Sequence, residues 1–288
     1  MHLLVTGGSG KVGRRLLPLL AAEHDLTVFD LVLPPTDVPV RFRQGDLLDS
    51  AALLWALRDC DAVLHLAAIP APGGVSDDRL MQINVLGTQR LVEAAALSRP
   101  AMVIMASSDS VSGMVFSGGE IAPAYVPIDE DHPVRPRDAY GLSKFLGEEI
   151  CRRYTRATDL ITVCLRYCWV FWEEHYEQLP AWQAGDPHVF RGQMWGYIDV
   201  RDIGRAVLAV LSSELSGHHT FVLRARRNFM NRPTLDLVRD HYGPQVHARR
   251  TEPYDELPDA SAFDYSRLSN FTGWEPVHDW QEEVGKLA

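Results

Sequence analysis

The sequence lacks a long apolar run and an excess of basic residues. No run of about 18 apolar residues occurs along the 288 residues, so we expect no membrane span. The net charge is −10, which argues against nucleic-acid binding. The chain starts directly with a strand-like segment and shows no secretory leader. We therefore expect a cytoplasmic protein.

Cysteine is scarce. The four cysteines are Cys60, Cys151, Cys164 and Cys168, and none of them forms a CxxC pair. Metal binding and disulfides are therefore not expected, and we predict buried free thiols. Glu173, Glu174 and His175 do not indicate a metal either, because adjacent carboxylates do not share a helix face.

What the chain does have is an alternation of strand-like and helix-like segments in its first half. Strands are predicted near 2–6, 26–30, 40–44, 62–66, 101–107 and 160–166, and helices near 11–22, 50–58, 78–98 and 139–156. This order predicts an α/β fold with a doubly wound parallel sheet and ligands at the carboxyl ends of the strands. We divide the chain into a cofactor-binding domain at 1–167 and a substrate-binding lobe at 168–288. A partial return to the first domain is expected near 196–215.

A glycine-rich turn joins the first predicted strand to the first predicted helix. Its glycines are Gly7, Gly8, Gly10 and Gly13, and Asp30 closes the second strand 17 residues later. This is the setting of a dinucleotide fingerprint, because a pyrophosphate reaches backbone N–H groups at a helix N-terminus only where no Cβ intervenes. A carboxylate at Asp30 can accept both ribose hydroxyls. The alternative is a glycine-rich turn in an unrelated α/β domain.

A second group of residues has the spacing of a proton-transfer site. Tyr140 and Lys144 are four residues apart and share one helix face, and Ser108 follows a central strand. A free phenol is a poor base at neutral pH, but a neighbouring ammonium lowers its pKa. The tyrosine can then take a proton from a carbinol while a nicotinamide takes hydride.

These motifs resemble those of the extended short-chain dehydrogenases/reductases, which include the NAD-dependent sugar epimerases and dehydratases. The matching motifs are Thr6-Gly7-x-x-Gly10-x-x-Gly13, Asp46-Leu47, Ala67-Ala68, Asn84-Val85-x-Gly87-Thr88, Ser107-Ser108, Tyr140-x-x-x-Lys144, Tyr197 to Ile203 and Gly273 to Pro276. The resemblance implies a Rossmann-type lobe, a smaller C-terminal substrate lobe and a homodimer packed through helices 78–98 and 139–156.

The resemblance also implies roles for single residues. Tyr140 is the expected acid/base, Lys144 lowers its pKa and holds the nicotinamide ribose, and Ser108 binds the reacting oxygen. The predicted cofactor contacts are Gly7, Gly10, Lys11, Val12, Gly13, Asp30, Asp46, Leu47, Leu66, Ala67, Ala68, Asn84, Tyr140 and Lys144. The predicted substrate contacts are Ser108, Asp109, Ser110 and Tyr167. For Asn84, a bare surface asparagine is the alternative.

Three departures from the family pattern reduce the number of family reactions that the chain is expected to catalyse. Ser110 replaces the glutamate that dehydratases place after an aspartate, so dehydration lacks its proton acceptor. Ser112 stands where the best-known epimerases have a tyrosine. Trp195 and Gly196 precede Tyr197, where UDP-hexose epimerases have an arginine for the diphosphate. Arg191, Arg249 and Arg250 remain as compensating cations.

The second lobe is less regular. Trp169, Trp172, Trp182 and Trp195 lie within 27 residues. They either line the substrate pocket with aromatic faces or pack the lobe against the sheet. Asp202 is predicted as the N-cap of a helix near 202–214.

Asp30 favours NAD over NADP, since a carboxylate repels a 2′-phosphate. Lys11, Arg14 and Arg15 argue weakly for NADP. Three functions stay open: a net NAD-dependent dehydrogenase acting on a sugar, sugar acid or polyol, a nucleotide-sugar 4-epimerase with tightly bound NAD, and a non-catalytic cofactor sensor.

Overall fold

A parallel sheet forms the centre of the molecule. The structure is a computed structural model that describes residues 1–167 and 169–287. Within them the main sheet has seven strands: β1 (His2–Thr6), β2 (Asp25–Asp30), β3 (Arg41–Gln44), β4 (Ala62–His65), β5 (Met102–Ser107), β7 (Ile161–Arg166) and β10 (His218–Val222). Short strands pair elsewhere: β6 (Tyr125–Val126) with β11 (His247–Ala248), and β8 (Val170–Phe171) with β9 (Ile198–Asp199).

The strand order leaves a crevice at the carboxyl ends of the strands. The order is β3-β2-β1-β4-β5-β7-β10, and every neighbouring pair is parallel. The chain runs outward from β1 in one direction and then crosses to β4 on the other side. Such a reversal leaves a crevice outside the carboxyl ends of β1 and β4, where doubly wound sheets bind ligands.

Helices cover both faces of this sheet and build the second lobe. They are α1 (Gly13–Ala21), α2 (Ser50–Ala56), α3 (Asp77–Met81), α4 (Gly87–Ser98), α5 (Ala139–Ala157), α6 (Glu173–Gln183), α7 (Val200–Leu211), α8 (Thr234–Tyr242), α9 (Glu252–Glu256), α10 (Ser266–Thr272) and α11 (Trp280–Gly285). Among the described residues, no helix combines the length and the apolar character that crossing a membrane requires.

The apolar run of β1 serves two cores at once. Leu3 and Val5 pack on the face that α1 and α7 cover, while Leu4 packs on the face of α2, α4 and α5. Successive side chains of a strand point to opposite faces, and both faces of this sheet are buried. This explains why the first strand is a continuous apolar run rather than an alternating one.

A third core fills the second lobe. Its fully buried members include Phe171, Trp195 and Phe229, and the segment 114–128 adds Met114 and Val126. The lobe that we placed at 168–288 therefore shares its core with part of the segment between β5 and α5. β10 returns to the main sheet and is missing from the predicted strands, because its first three residues are polar and half-buried at the sheet edge.

The predicted helix 78–98 is interrupted by a π-helical turn, Gln82–Leu86, between α3 and α4. Asn84 and Gly87, two poor helix formers, lie within and just after this turn. A Cβ on Gly87 would lie 3.0 Å from the Cβ of Leu47, so the glycine lets this helix pass close to the loop after β3. The wider turn faces the ligand edge, where π-turns are frequent.

One capping prediction is wrong. Asp199, not Asp202, caps α7, and its carboxylate accepts a hydrogen bond from the backbone N–H of Arg201 at 2.7 Å. Asp202 lies in the first turn of α7, where it accepts from the backbone N–H groups of Val277 and His278 at 3.2 and 2.9 Å. It therefore fastens a segment about 75 positions away in sequence, which local pattern alone does not reveal.

The described cysteines match the expectation of buried free thiols. Cys60, Cys151 and Cys164 are free and buried. Burial raises the pKa of the Cys60 thiol to about 11, so it stays protonated. Cys168 lies outside the described residues.

Candidate active site

The glycine turn after β1 is too tightly packed for side chains. Gly7 has φ +74°, and a Cβ on it would lie 2.5 Å from the backbone nitrogen of Ala67. A Cβ on Gly13 would lie 2.4 Å from the carbonyl oxygen of Gly7. No acidic residue stands in the first turn of α1. The turn therefore presents bare backbone and the positive end of a helix dipole, which suits a pyrophosphate.

A cavity of about 460 Å³, the glycine-turn cavity, opens beside this turn. The predicted cofactor residues that line it are Gly7, Gly10, Asp30, Asp46, Leu47, Leu66, Ala67 and Ala68. The carboxylate of Asp30 accepts from the backbone N–H groups of Ser9 at 3.0 Å and Leu31 at 2.7 Å. These two bonds fix the carboxylate at the end of β2, where an adenosine ribose would meet it.

A second cavity of about 310 Å³, the tyrosine cavity, adjoins the first and shares Leu66 and Ala68 with it. The predicted residues that line it are Val12, Leu66, Ala68, Ser108, Tyr140, Lys144 and Tyr167. Ser108 comes from the end of β5, Tyr140 and Lys144 from α5, and Tyr167 from the end of β7. The three predicted catalytic side chains thus meet at one cavity, next to the space for a cofactor.

The position of α5 depends on its cap and its glycines. Asp138 caps the helix by accepting from the backbone N–H of Gly141 at 2.8 Å. A Cβ on Gly141 would lie 2.5 Å from the carbonyl oxygen of Ser110, and one on Gly147 would lie 3.0 Å from the sulfur of Met105. These glycines allow α5 to lie against the end of β5. Tyr140 is brought near Ser108 for that reason.

Lys144 is buried at the centre of the tyrosine cavity wall. Its ammonium donates to the carbonyl oxygen of Ala106 at 2.8 Å and lies 5.6 Å from the centre of the Tyr140 ring. Burial lowers the pKa of Lys144 to about 8, while the nearby Glu148 favours the charged form. The ammonium is therefore close enough to stabilise a phenolate on Tyr140.

A buried neutral histidine lies at the end of β4, close to Lys144. His65, the last residue of β4, lies between the hydroxyls of Thr6 at 2.7 Å and Thr88 at 2.9 Å. Burial, with a further contribution from Lys144, lowers the pKa of His65 to about 3. The imidazole therefore adds no charge beside the lysine.

Asn84 joins two parts of the site instead of lining it. It is buried, and its side-chain amide exchanges two hydrogen bonds with the backbone of Ile69, at 2.8 and 3.0 Å. Its amide nitrogen also donates to the Ser143 hydroxyl at 3.0 Å, and that hydroxyl donates to the carbonyl oxygen of Tyr140. Asn84 thus ties the loop after β4 to the first turn of α5.

Four other predicted contacts lie outside both cavities. Lys11 is exposed at the start of α1, and Gly13 packs inside the turn. Asp109 is buried and forms an ion pair with Arg224, a residue of the second lobe. Ser110 is fully buried beside it. In this structure Asp109 and Ser110 lie behind the wall that Ser108 belongs to, because Asp109 turns toward the arginine.

The tryptophans divide between core and cavity. Trp195 is fully buried in the second-lobe core and donates from its indole nitrogen to the carbonyl oxygen of Pro187 at 2.8 Å. The guanidinium carbon of Arg15 lies over the ring of Trp172, 4.2 Å from the centre of that ring. Trp169 lines the tyrosine cavity. Trp195 is therefore a core residue and Trp169 lines a cavity, and a contact of Trp169 with the substrate stays a prediction.

The arginines proposed as compensating cations have other partners. Arg191 donates to the carbonyl oxygen of Gly118 at 3.0 Å, and Arg249 lies over the ring of Tyr125. Arg250 pairs with Asp264. Within the described residues, none of the three arginines lines the tyrosine cavity.

Several residues of the site were not predicted from the sequence. Phe116 and Gln193 line the tyrosine cavity from loop and lobe segments that carry no motif. Glu148 is buried and holds Arg166 by two hydrogen bonds, at 2.9 and 2.8 Å, while Ser107 donates to it. Helical spacing was a signal for Glu148, since it lies eight residues after Tyr140 on the same face. Across residues 1–167 and 169–287, no three metal-binding side chains are grouped around a metal position.

Comparisons with known proteins identify the family of the chain. The model of the NAD dependent epimerase/dehydratase family matches residues 3–223. A Methanocaldococcus jannaschii protein, provisionally named a UDP-glucose 4-epimerase, is 32% identical over 99% of this chain and 97% of its own length. An L-arabinose 1-dehydrogenase (NAD(P)(+)) of Haloferax volcanii is 31% identical over 59% of this chain and 67% of its own length.

The fold has solved relatives as well. A short-chain dehydrogenase/reductase superfamily protein from Agrobacterium tumefaciens, solved with bound NAD, aligns with a TM-score of 0.75 at 23% identity. The alignment covers 99% of this chain and 95% of that one. The doubly wound α/β fold and the family that the motifs predict are confirmed.

Proposed function

Because the chain belongs to the NAD-dependent epimerase/dehydratase family, we propose that it is an NAD-dependent oxidoreductase acting on a carbinol carbon of a sugar, sugar acid or related polyol. The observation that supports this most is the meeting of Ser108, Tyr140 and Lys144 at one cavity that adjoins the glycine-turn cavity. The bare backbone at Gly7 fits a pyrophosphate, so the residues present suit NAD. When bound, NAD supplies a nicotinamide ring that exchanges a hydride with the substrate carbon.

The side chains of the site divide the remaining work. The hydroxyl of Ser108 orients the reacting oxygen, and Tyr140 removes its proton as the carbon is oxidised. Lys144 electrostatically stabilises the phenolate form of Tyr140 that accepts this proton, and it holds the nicotinamide ribose. Tyr167, whose pKa is raised by burial and then by Tyr140, remains protonated and can donate to a substrate oxygen.

NAD is the proposed cofactor rather than NADP. Asp30 lines the glycine-turn cavity at the end of β2, and its carboxylate is anchored by two backbone N–H groups. It cannot turn away to admit a 2′-phosphate without breaking both bonds. Five predicted contacts do not line either cavity, and in this proposal they support the site indirectly by holding the glycine turn, the loops and the second lobe in place: Lys11, Gly13, Asn84, Asp109 and Ser110.

A nucleotide-sugar 4-epimerase is the second candidate, since the Methanocaldococcus jannaschii relative matches along nearly its whole length. Against it stands Trp195, whose indole is buried in the lobe core where UDP-hexose epimerases have an arginine. A diphosphate is held best by bidentate arginine. The net dehydrogenase is therefore the preferred function.

One experiment separates these two functions. The purified protein is incubated with NAD and a panel of sugars, sugar acids and UDP-hexoses, and NADH absorbance and the UDP-hexose products are both measured. Net accumulation of NADH with a free sugar or sugar acid supports the dehydrogenase. Interconversion of UDP-hexoses without net NADH supports the epimerase. Bound NAD with neither reaction supports the sensor.

We also propose that the protein forms a homodimer through α3–α5. A groove of about 620 Å³ lies between these helices, and its apolar lining side chains are those of Met81, Val85, Leu86, Leu146 and Ile150; polar side chains form the rest of its lining. Leu86 is 41% exposed. A second copy would cover this apolar surface. A cytoplasmic location stays a prediction from the sequence.

A further inference from the structure

The polar groups that line the tyrosine cavity are almost all neutral. Ser108, Tyr167 and Gln193 offer two hydroxyls and an amide. Among its described lining residues, Lys144 is the one cation, and its ammonium already donates to the carbonyl oxygen of Ala106 at 2.8 Å. Hydroxyl and amide groups match the hydroxyls of a sugar better than they match a carboxylate.

Three arginines lie on the segments around the cavity, and each has another partner. Arg166, one residue before Tyr167, is held by both carboxylate oxygens of Glu148. Arg191, two residues before Gln193, donates to a carbonyl oxygen at 3.0 Å. Arg224 pairs with Asp109. A substrate carboxylate would have to displace one of these partners to gain a guanidinium.

The cavity wall also carries a firmly held aromatic ring. Trp169 has φ +44°, a conformation that bulky residues rarely adopt. Its ring lies 5.1 to 5.6 Å, centre to centre, from those of Phe171, Trp182, Phe190 and Phe229. Backbone strain of this kind persists where the surroundings enforce it, and it is concentrated at ligand sites. An indole on a cavity wall is a surface for the C–H face of a sugar ring.

The size of the cavity adds a further restriction. Its volume of about 310 Å³ is near the lower end of the range for ligand sites, which is about 300–1,000 Å³. The same space must also hold the nicotinamide end of the cofactor. It suits one small ring better than a sugar with a nucleoside diphosphate attached.

We propose that the substrate is a neutral free aldose, bound with its C–H face on Trp169, and that the cavity selects against uronates and nucleotide sugars. This inference rests on the proposed function and names its substrate class. A uronate carboxylate that gave up its water contacts here would have no free guanidinium partner, and burying an unpaired charge is costly. An aldose replaces its water contacts with those of Ser108, Tyr167 and Gln193.

The test compares sugars that differ only in charge. D-Galactose is paired with D-galacturonate and D-glucose with D-glucuronate, and L-arabinose and UDP-galactose complete the set. NADH formation gives kcat/KM for each. We expect an aldose to exceed its matched uronate by about tenfold or more. A uronate that equals or exceeds its aldose overturns the inference while the proposed dehydrogenase stands.

A second arm changes the charge of the cavity. Gln193→Arg supplies the missing guanidinium, and Gln193→Met is the neutral control of similar size. The arginine variant should raise the ratio of uronate to aldose kcat/KM by about tenfold, and the methionine variant should leave it unchanged. A ratio that is the same in both variants contradicts the proposal.

A binding measurement decides the case in which no sugar is oxidised, which would count against the proposed function. Calorimetry on the NAD-loaded protein then compares D-galactose with D-galacturonate. Binding of the aldose that is lost in Trp169→Ala but kept in Trp172→Ala, whose ring lies under Arg15, supports the inference. Failure of the aldose to bind, or equal binding of both sugars, overturns it.

Discussion

The ammonium of Lys144 donates to the carbonyl oxygen of Ala106 over 2.8 Å, which joins the helix of Tyr140 to β5, the strand that ends just before Ser108. A single side chain therefore holds the proposed acid/base, Tyr140, and the proposed oxygen-binding residue, Ser108, in one arrangement, and it carries the charge that favours a phenolate. The electrostatic effect depends on the lysine being protonated.

The activity should therefore fall in alkali. Burial lowers the pKa of Lys144 to about 8, so the ammonium is present below that pH and lost above it. Because kcat/KM reports groups of the free enzyme, we expect kcat/KM for NAD to decrease above about pH 8. In Lys144→Arg the charge persists, and its residual activity should lack this alkaline decrease. An identical decrease in the variant contradicts the assignment.

Deprotonation of Lys144 does not cause the activity to fall by destabilising the fold, because its effect on the free energy of unfolding has the opposite sign. The pKa of Lys144 is lower in the folded state than in the unfolded chain, so the unfolded chain binds the proton more tightly. Burial of the charged lysine therefore lowers the free energy of unfolding. This destabilisation is fully present below about pH 8 and is lost as the pH rises toward 10.5. This lysine therefore makes the free energy of unfolding increase over the range in which activity falls, and denaturant titrations of wild type and Lys144→Met measure it.

Gly7→Ala should weaken cofactor binding. The added Cβ would lie 2.5 Å from the backbone of Ala67 and would also force a side chain into a backbone with φ +74°. Overpacking costs about 1–3 kcal/mol, so we expect NAD affinity to fall by about tenfold or more in fluorescence titrations. Gly74→Ala is the control, because nothing lies within 4 Å of its added Cβ. Equal affinities of the two variants would show that the turn does not hold the cofactor.

Asn84→Ala should lower both stability and NAD affinity. The change leaves part-buried backbone groups of Ile69 without their partners, at a cost of about 1–3 kcal/mol. We expect the Tm to drop by roughly 2–10 °C, with weaker NAD binding because the loop after β4 is no longer tied to α5. Asn270→Ala, at an exposed position of α10, should change neither. An unaffected Asn84→Ala would mean that this bridge does not position the loop.

Leu86→Arg should convert the proposed dimer into monomers. Leu86 lines the apolar groove between α3–α5, and a charge there would be buried against a second copy. Leu97→Arg introduces the same charge on the exposed end of α4, outside that groove, and should leave the dimer intact. Light scattering after size exclusion gives both masses. A wild-type monomer, or dimers of both variants, would refute the interface.

Local pattern was sufficient for six of the seven strands of the main sheet and for the motif residues at the carboxyl ends of those strands. The strands near 2–6 and 102–107 are apolar runs, and the spacing of Tyr140 and Lys144 defines their shared helix face. Motif residues on adjoining strands meet because parallel strands end at the same edge.

What the sequence did not predict depends on partners far along the chain. Asp109 pairs with Arg224 and Asp202 binds the backbone of His278, and neither partner is close in sequence. Trp195 and Trp169 looked alike as part of an aromatic cluster, yet one is core and the other lines the cavity. Packing of the second lobe makes that distinction, and no local spacing encodes it.

The most direct test of the account is the rate of a single turnover in Tyr140→Phe. The variant keeps the ring, which packs edge-on against Phe116 at 5.8 Å, and removes the hydroxyl. With an aldose and equal saturation by NAD, the account predicts that NAD reduction slows by about 100- to 10,000-fold while NAD affinity is unchanged. Reduction at the wild-type rate would contradict the central claim that Tyr140 takes the proton.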